Sequence, residues 1–123
     1  MPTKHILIVD DEAQIRAILS QVLLNHGYRV SEAESVAGAM ETTRRDRPDL
    51  IISDLQLEES DGFDFIDQVK QIAPEIPVIL LTGVLFDADV IRRLGQEKIA
   101  AYIEKTAPLE RILSEVRKNL GER

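Results

Sequence analysis

The chain has 123 residues, 44% hydrophobic and 30% charged, which is typical of one globular domain, and we expect residues 1–123 to form a single unit. The lack of cysteine excludes disulfides and thiolate chemistry, and the net charge of −7 argues against a broad nucleic-acid-binding face. We recognise no signal peptide and no apolar run long enough to cross a membrane, and we therefore expect a cytoplasmic protein that does not act at a membrane.

The first half of the chain alternates short apolar runs with helical patterns. Residues 5–9 form an apolar, β-branched run that is typical of a strand buried on both faces. Apolar side chains then recur every three or four positions over residues 12–25, which predicts an amphipathic helix, and Gly27 suits a left-handed cap after it. A second strand, a second helix and a third strand are predicted over residues 28–33, 35–45 and 50–53.

The second half continues the same alternation. A third helix, a fourth strand, a fourth helix, a fifth strand and a last helix are predicted over residues 62–72, 78–81, 87–95, 99–103 and 108–120. Strands that alternate with helices imply an α/β fold, in which a doubly wound parallel sheet carries helices on both faces.

Polar residues with specific chemistry follow four of the predicted strands. Asp10, Asp11 and Glu12 come after the first strand and Asp54 after the third. In the same way, Thr82 and Gly83 close the fourth strand, and Lys105 follows the fifth. Open parallel sheets bind ligands beyond the carboxyl ends of their strands, so we expect these groups to meet at one edge.

The chemistry of this set points to a divalent cation and a phosphoryl group. Carboxylates that lie close together repel one another when ionised, and hard oxygen ligands favour Mg²⁺. The aspartate after the third strand, Asp54, could act as a nucleophile toward phosphorus. The ammonium of Lys105 and the hydroxyl of Thr82 could then bind phosphoryl oxygens.

Each of these residues also has a simpler interpretation when it is taken alone. The acidic triplet could be the acidic start of a helix, and Asp54 could cap the segment after its strand. Thr82 could be an ordinary strand-end hydroxyl, and Lys105 an ordinary solvated side chain. The functional interpretation depends on their occurrence together, at four strand ends of one sheet.

The whole pattern resembles the receiver domains of two-component response regulators. The resemblance covers nearly the whole chain and rests on five segments, namely residues 6–12, 49–55, 61–62, 80–83 and 101–105. It implies a flavodoxin-like sheet of five parallel strands in the order 2-1-3-4-5, flanked by five helices.

The resemblance implies a metal-dependent phosphoacceptor site. Asp54 would be the phosphoacceptor. Asp11 would bind Mg²⁺ directly and Asp10 largely through water. Asp54 and the backbone carbonyl of Gln56 would complete the protein ligands.

The resemblance also implies a switch rather than an enzyme. Lys105 would hold a phosphoryl oxygen, Thr82 would swing toward the phosphoryl group, and Tyr102 would turn inward behind it. These movements would alter the face made by the fourth predicted helix, the fifth strand and the last helix. The implied partners are a sensor histidine kinase or a histidine phosphotransfer protein, which carries the phosphohistidine, and a downstream effector domain or protein. A homodimer formed on phosphorylation is left open.

Three other functions remain as alternatives. A receiver-like fold could act as a binding scaffold that is never phosphorylated. A phosphatase with an aspartyl-phosphate intermediate would need a second aspartate as general acid–base, and Gln56 stands at the expected position. A flavin- or nucleotide-binding domain of similar topology would need a glycine-rich loop after the first strand, which this sequence lacks.

Overall fold

The computed structural model describes residues 3–54, 56–57, 60–83, 92 and 99–121. The main sheet contains five strands, which are β1 (His5–Val9), β2 (Arg29–Ala33), β3 (Leu50–Ser53), β6 (Val78–Thr82) and β7 (Ala101–Glu104). The strands are parallel and lie in the order β2-β1-β3-β6-β7. This arrangement confirms the predicted order of five parallel strands.

Four helices flank the sheet in the described part of the chain. They are α1 (Ala13–Asn25), α2 (Val36–Arg45), α3 (Gly62–Ile72) and α4 (Leu109–Asn119). The helix predicted over residues 87–95 lies outside the described residues, apart from the single position 92. Two short strands, β4 (Gln56–Leu57) and β5 (Ser60–Asp61), form an antiparallel ribbon after β3 that the sequence pattern did not predict.

Both faces of the sheet are covered, as its apolar strands require. All five residues of β1 are buried. Leu7 and Val9 point to the face covered by α2 and α3, whereas Ile6 and Ile8 point to the face covered by α1 and α4. This alternation has a period of two, and the acidic residues that follow β1 and β3 lie beyond the strand ends.

The ends of the elements agree with the local sequence signals. The hydroxyl of Ser35 accepts a hydrogen bond from the backbone N–H of Gly38 at 3.1 Å, so α2 begins with an N-cap. Gly27 has a φ of +88°, which is the left-handed backbone expected after α1. β7 begins at Ala101 rather than at Ile99, whose side chain is partly buried and packs against the core.

No helix among the described residues is long and apolar enough to span a lipid bilayer.

The ion pair between Arg29 and Asp46, at the amino-terminal edge of the sheet, should make a pH-dependent contribution to stability. Arg29 donates two hydrogen bonds to the carboxylate of Asp46, which keeps the pKa of that carboxyl below its ordinary value of 3.8. The ion pair therefore stabilises the folded protein fully at pH values above the ordinary pKa of Asp46. This stabilisation is lost as the pH falls through the lower pKa that Asp46 has in the folded protein. We expect Asp46→Asn to lower the urea midpoint of unfolding at neutral pH. The difference between the midpoints of the variant and the wild type should become smaller in acid. A difference that stays constant with pH would contradict this assignment.

Candidate functional site

The neighbouring strands β1 and β3 place the first two carboxylates of the site. Asp10 directly follows β1, and its backbone N–H donates to the carbonyl of Ala33 at the end of β2, at 3.1 Å. Asp54 directly follows β3, and its N–H donates to the carbonyl of Val9 at 2.9 Å. These hydrogen bonds extend the parallel ladder by one residue on each strand, so both aspartates are held at the carboxyl edge of the sheet.

Four carboxylates gather at this edge. One oxygen from each of Asp10, Asp11, Glu12 and Asp54 lies within 4.8 Å of the others. Asp10 and Asp54 are almost fully buried, with exposed fractions of 2% and 4%, whereas Glu12 is exposed. Only oxygen donors are present in the cluster, which suits a hard divalent cation such as Mg²⁺.

Lys105 provides a positive charge to this cluster from the end of β7. Its backbone N–H donates to the carbonyl of Thr82 at 3.0 Å, which fixes the start of the loop after the strand. Its ammonium Nζ lies 2.9 Å from Asp54 Oδ2, 3.1 Å from Asp10 Oδ2 and 2.7 Å from Glu12 Oε1. One ammonium thus contacts three carboxylates and cannot neutralise them all.

The pKa values reflect this crowding. Burial raises the pKa of Asp10 above its ordinary value, although hydrogen bonds from the backbone N–H of Glu12 and from Lys105 act in the opposite direction. Burial lowers the pKa of Lys105, but hydrogen bonds to Glu12, Asp54 and Asp10 outweigh it, and the pKa of Lys105 is raised overall. Lys105 is therefore an ammonium at neutral pH.

A cavity of about 360 Å³ opens among these groups. It is lined by five residues, which are Asp11, Glu12, Asp54, Gly83 and Lys105. A methyl group at Gly83 would lie 4.0 Å from the side chain of Lys105, at van der Waals distance. Because glycine has no side chain, this position does not narrow the cavity. The space is next to a carboxylate oxygen and an ammonium, and a phosphoryl group there would contact both.

Three other predicted residues are not among those that line this cavity. Thr82 ends β6 next to Gly83, and its side chain is fully buried. Gln56 begins β4, two residues after Asp54. Tyr102 lies in β7 with 51% of its surface exposed. The roles predicted for these three residues remain predictions.

Two residues contribute more than the sequence analysis assigned to them. Glu12 was placed at this edge but was given no function, and it makes the shortest contact with Lys105. Arg16 was not singled out, and it donates from Nη1 to the backbone carbonyl of Asp10 at 2.5 Å. The available signal was an arginine in the second turn of a helix that begins directly after an acidic triplet.

Comparison with known proteins identifies the class. Residues 6–117 match the model of the response regulator receiver domain family, and the chain therefore belongs to this family. Receiver domains are signalling switches of two-component systems and generally not enzymes, which agrees with the sequence prediction.

Individual relatives show how much of a protein this chain corresponds to. It is 32% identical over 118 residues to the chemotaxis protein CheY of Bacillus subtilis (strain 168), covering 95% of this chain and 98% of that protein. It is 38% identical over 79 residues to the transcriptional regulatory protein GlrR of Escherichia coli (strain K12), covering 64% of this chain. That match spans only 18% of the length of GlrR.

A solved structure of a related receiver domain has the same fold. The chain superposes on the beryllofluoride-activated NtrC4 receiver domain dimer with a TM-score of 0.88 and 28% sequence identity. The superposition covers 97% of this chain and 98% of the other.

Proposed function

We propose that this protein is a phosphorylation switch, in which Asp54 accepts a phosphoryl group from a phosphohistidine in the presence of Mg²⁺. The observation that carries the proposal is the ammonium of Lys105, which lies 2.9 Å from Asp54 Oδ2 and 3.1 Å from Asp10 Oδ2 beside an open cavity. Membership in the receiver domain family supports the same function.

Asp10, Asp11 and Asp54, together with the backbone carbonyl of Gln56, would hold the Mg²⁺. The described donors are oxygen atoms. When all four clustered carboxylates are ionised, the single ammonium leaves three of their negative charges without compensation. When bound, Mg²⁺ would supply two further positive charges toward the charge neutralisation that phosphoryl transfer requires.

The residues of the chain then have distinct tasks in the transfer. A carboxylate oxygen of Asp54 forms the new bond to phosphorus, the bond between phosphorus and the histidine nitrogen breaks, and the imidazole retains the electron pair. Lys105 stabilises the negative charge on the phosphoryl oxygens, because its ammonium already faces Asp54. Asp54 is almost fully buried and lines the cavity, so a phosphoryl donor would reach its carboxylate through this cavity.

Thr82 and Tyr102 would transmit the modification to the surface. The hydroxyl of Thr82 would turn toward a phosphoryl oxygen, since Thr82 precedes the cavity residue Gly83. Tyr102 would then move inward from its exposed position in β7, and the face around β7 and α4 would change. The related NtrC4 receiver forms a dimer in its beryllofluoride-activated state, which supports dimerisation of this chain on phosphorylation.

The biological setting follows from the same proposal. A sensor histidine kinase or a histidine phosphotransfer protein in the cytoplasm would supply the phosphoryl group. The chain would act as a single domain that controls an effector domain or a separate effector protein, and it would not bind nucleic acid directly.

Phosphorylation from a small-molecule donor tests the proposal without knowledge of the kinase. We expect acetyl phosphate with Mg²⁺ to add one phosphoryl group, detected by intact-protein mass spectrometry, and we expect EDTA to prevent it. A folded protein that gains no phosphoryl group in the presence of Mg²⁺ would instead support the binding scaffold.

A further inference from the structure

We propose that Arg16 is a positioning residue, which fixes the turn between β1 and α1 and thereby sets the affinity of the site for Mg²⁺. The inference deepens the proposed function and rests on it. Arg16 lies on α1 outside the cavity lining and does not belong to the acidic cluster.

The turn is held through the backbone and the side chain of one residue, Asp10. Its N–H donates to the carbonyl of Ala33, and its Oδ1 accepts from the N–H of Glu12 at 2.8 Å. Its carbonyl accepts from Arg16 Nη1 at 2.5 Å. The peptide unit that carries this carbonyl also leads to Asp11, so the guanidinium restricts the orientation from which the Asp11 carboxylate reaches the cluster.

The arginine itself is anchored on a second strand. Its Nε lies 3.4 Å from Oε1 of Glu32 in β2, and its side chain is only 15% exposed. A guanidinium can make both contacts at once because its donors are arranged in a rigid plane, whereas the single nitrogen of lysine cannot span them in the same way. Arg16 therefore connects α1, β2 and the turn that bears the metal-binding carboxylates.

A purely electrostatic role predicts the opposite effect of removing Arg16. A positive charge near the cluster competes with a divalent cation, so its removal would strengthen Mg²⁺ binding. If positioning dominates, its removal would weaken binding, since groups that orient metal ligands typically contribute about 10- to 100-fold in affinity. The sign of the change therefore separates the two roles.

The test is the Mg²⁺ dissociation constant of the phosphate-free protein, measured by isothermal titration calorimetry. We expect Arg16→Met to weaken Mg²⁺ binding about tenfold. Arg16→Lys, which keeps the charge, should give a smaller loss in the same direction. Arg45→Met is the matched control, because Arg45 is exposed and pairs only with the exposed Glu41 among the ion pairs described.

A second readout needs no metal. The N–H of Glu12 is hydrogen-bonded to Asp10 Oδ1, and its hydrogen exchange should become faster in metal-free Arg16→Met. A purely structural role would lower the melting temperature and leave the Mg²⁺ dissociation constant unchanged.

If Arg16→Met binds Mg²⁺ as tightly as the wild type or more tightly, the inference is overturned. The proposed function still stands in that case if the wild type binds Mg²⁺ and is phosphorylated. If Arg16→Met does not fold, Arg16→Lys decides, and a dissociation constant equal to that of the wild type would overturn it. A wild type that binds no Mg²⁺ would overturn the inference and the proposed function together.

Discussion

Asp54→Asn is expected to abolish phosphorylation by acetyl phosphate, down to the level seen with EDTA. The amide has nearly the same shape as the carboxylate but lacks the anionic oxygen that attacks phosphorus. Its oxygen can still accept a hydrogen bond from Lys105, whose ammonium lies 2.9 Å from Asp54 Oδ2. The substitution therefore removes the nucleophile with little change in packing, and intact-protein mass spectrometry gives the extent of modification.

Asp64→Asn provides the matched control for this experiment. Asp64 is an exposed aspartate in the first turn of α3 and is not a member of the acidic cluster. We expect the control to be modified like the wild type, and peptide mass spectrometry of the wild type to locate the phosphoryl group on Asp54. Full modification of Asp54→Asn would refute the assignment of the acceptor and would redirect the search to the other carboxylates of the cluster.

The fold could be predicted because the strands of this sheet are buried on both faces. Mostly apolar runs such as His5–Val9 and Val78–Thr82 are recognisable in the sequence, and every residue of these two strands is buried. The resemblance to receiver domains supplied the strand order, and this order brings the ends of β1 and β3 together. The short ribbon of β4 and β5 was missed because two-residue strands carry no periodic pattern.

The sequence could predict which residues meet at this edge of the sheet, but not which of their atoms contact one another. The strand-end rule brought Asp10, Asp54 and Lys105 to one edge, as the structure has them. It placed Glu12 at the same edge but could not predict its contact with Lys105, because that contact depends on side-chain conformation. The bond from Arg16 to a backbone carbonyl was equally invisible, since only the folded turn creates that acceptor.

The many partners of Lys105 explain why its removal should affect folding as well as chemistry. Its side chain is 13% exposed, and its ammonium contacts the nearly buried carboxylates of Asp10 and Asp54. Loss of one partner from a buried ion pair typically costs about 3 to 5 kcal/mol, and we expect about 2 kcal/mol here because water can enter the cavity. Urea unfolding of metal-free Lys105→Met at neutral pH gives this value.

Lys105→Met should change metal binding and phosphorylation in opposite directions. Removal of the ammonium leaves the carboxylates free to bind a cation, so we expect the Mg²⁺ dissociation constant to fall severalfold. The rate of phosphorylation by acetyl phosphate at saturating Mg²⁺ should nevertheless fall about 100-fold, which is the usual effect of removing one donor that stabilises a developing oxyanion.

This divergence distinguishes charge stabilisation from a structural role of Lys105. Structural damage to the cavity would weaken Mg²⁺ binding and slow phosphorylation together, whereas loss of the positive charge alone strengthens the first and slows the second. Lys105→Arg is the informative partner variant, because it retains the charge and should bind Mg²⁺ less tightly than Lys105→Met does. If Lys105→Met binds Mg²⁺ more weakly than the wild type, the ammonium does not compete with the cation, and its contacts with Asp10 and Asp54 serve folding alone.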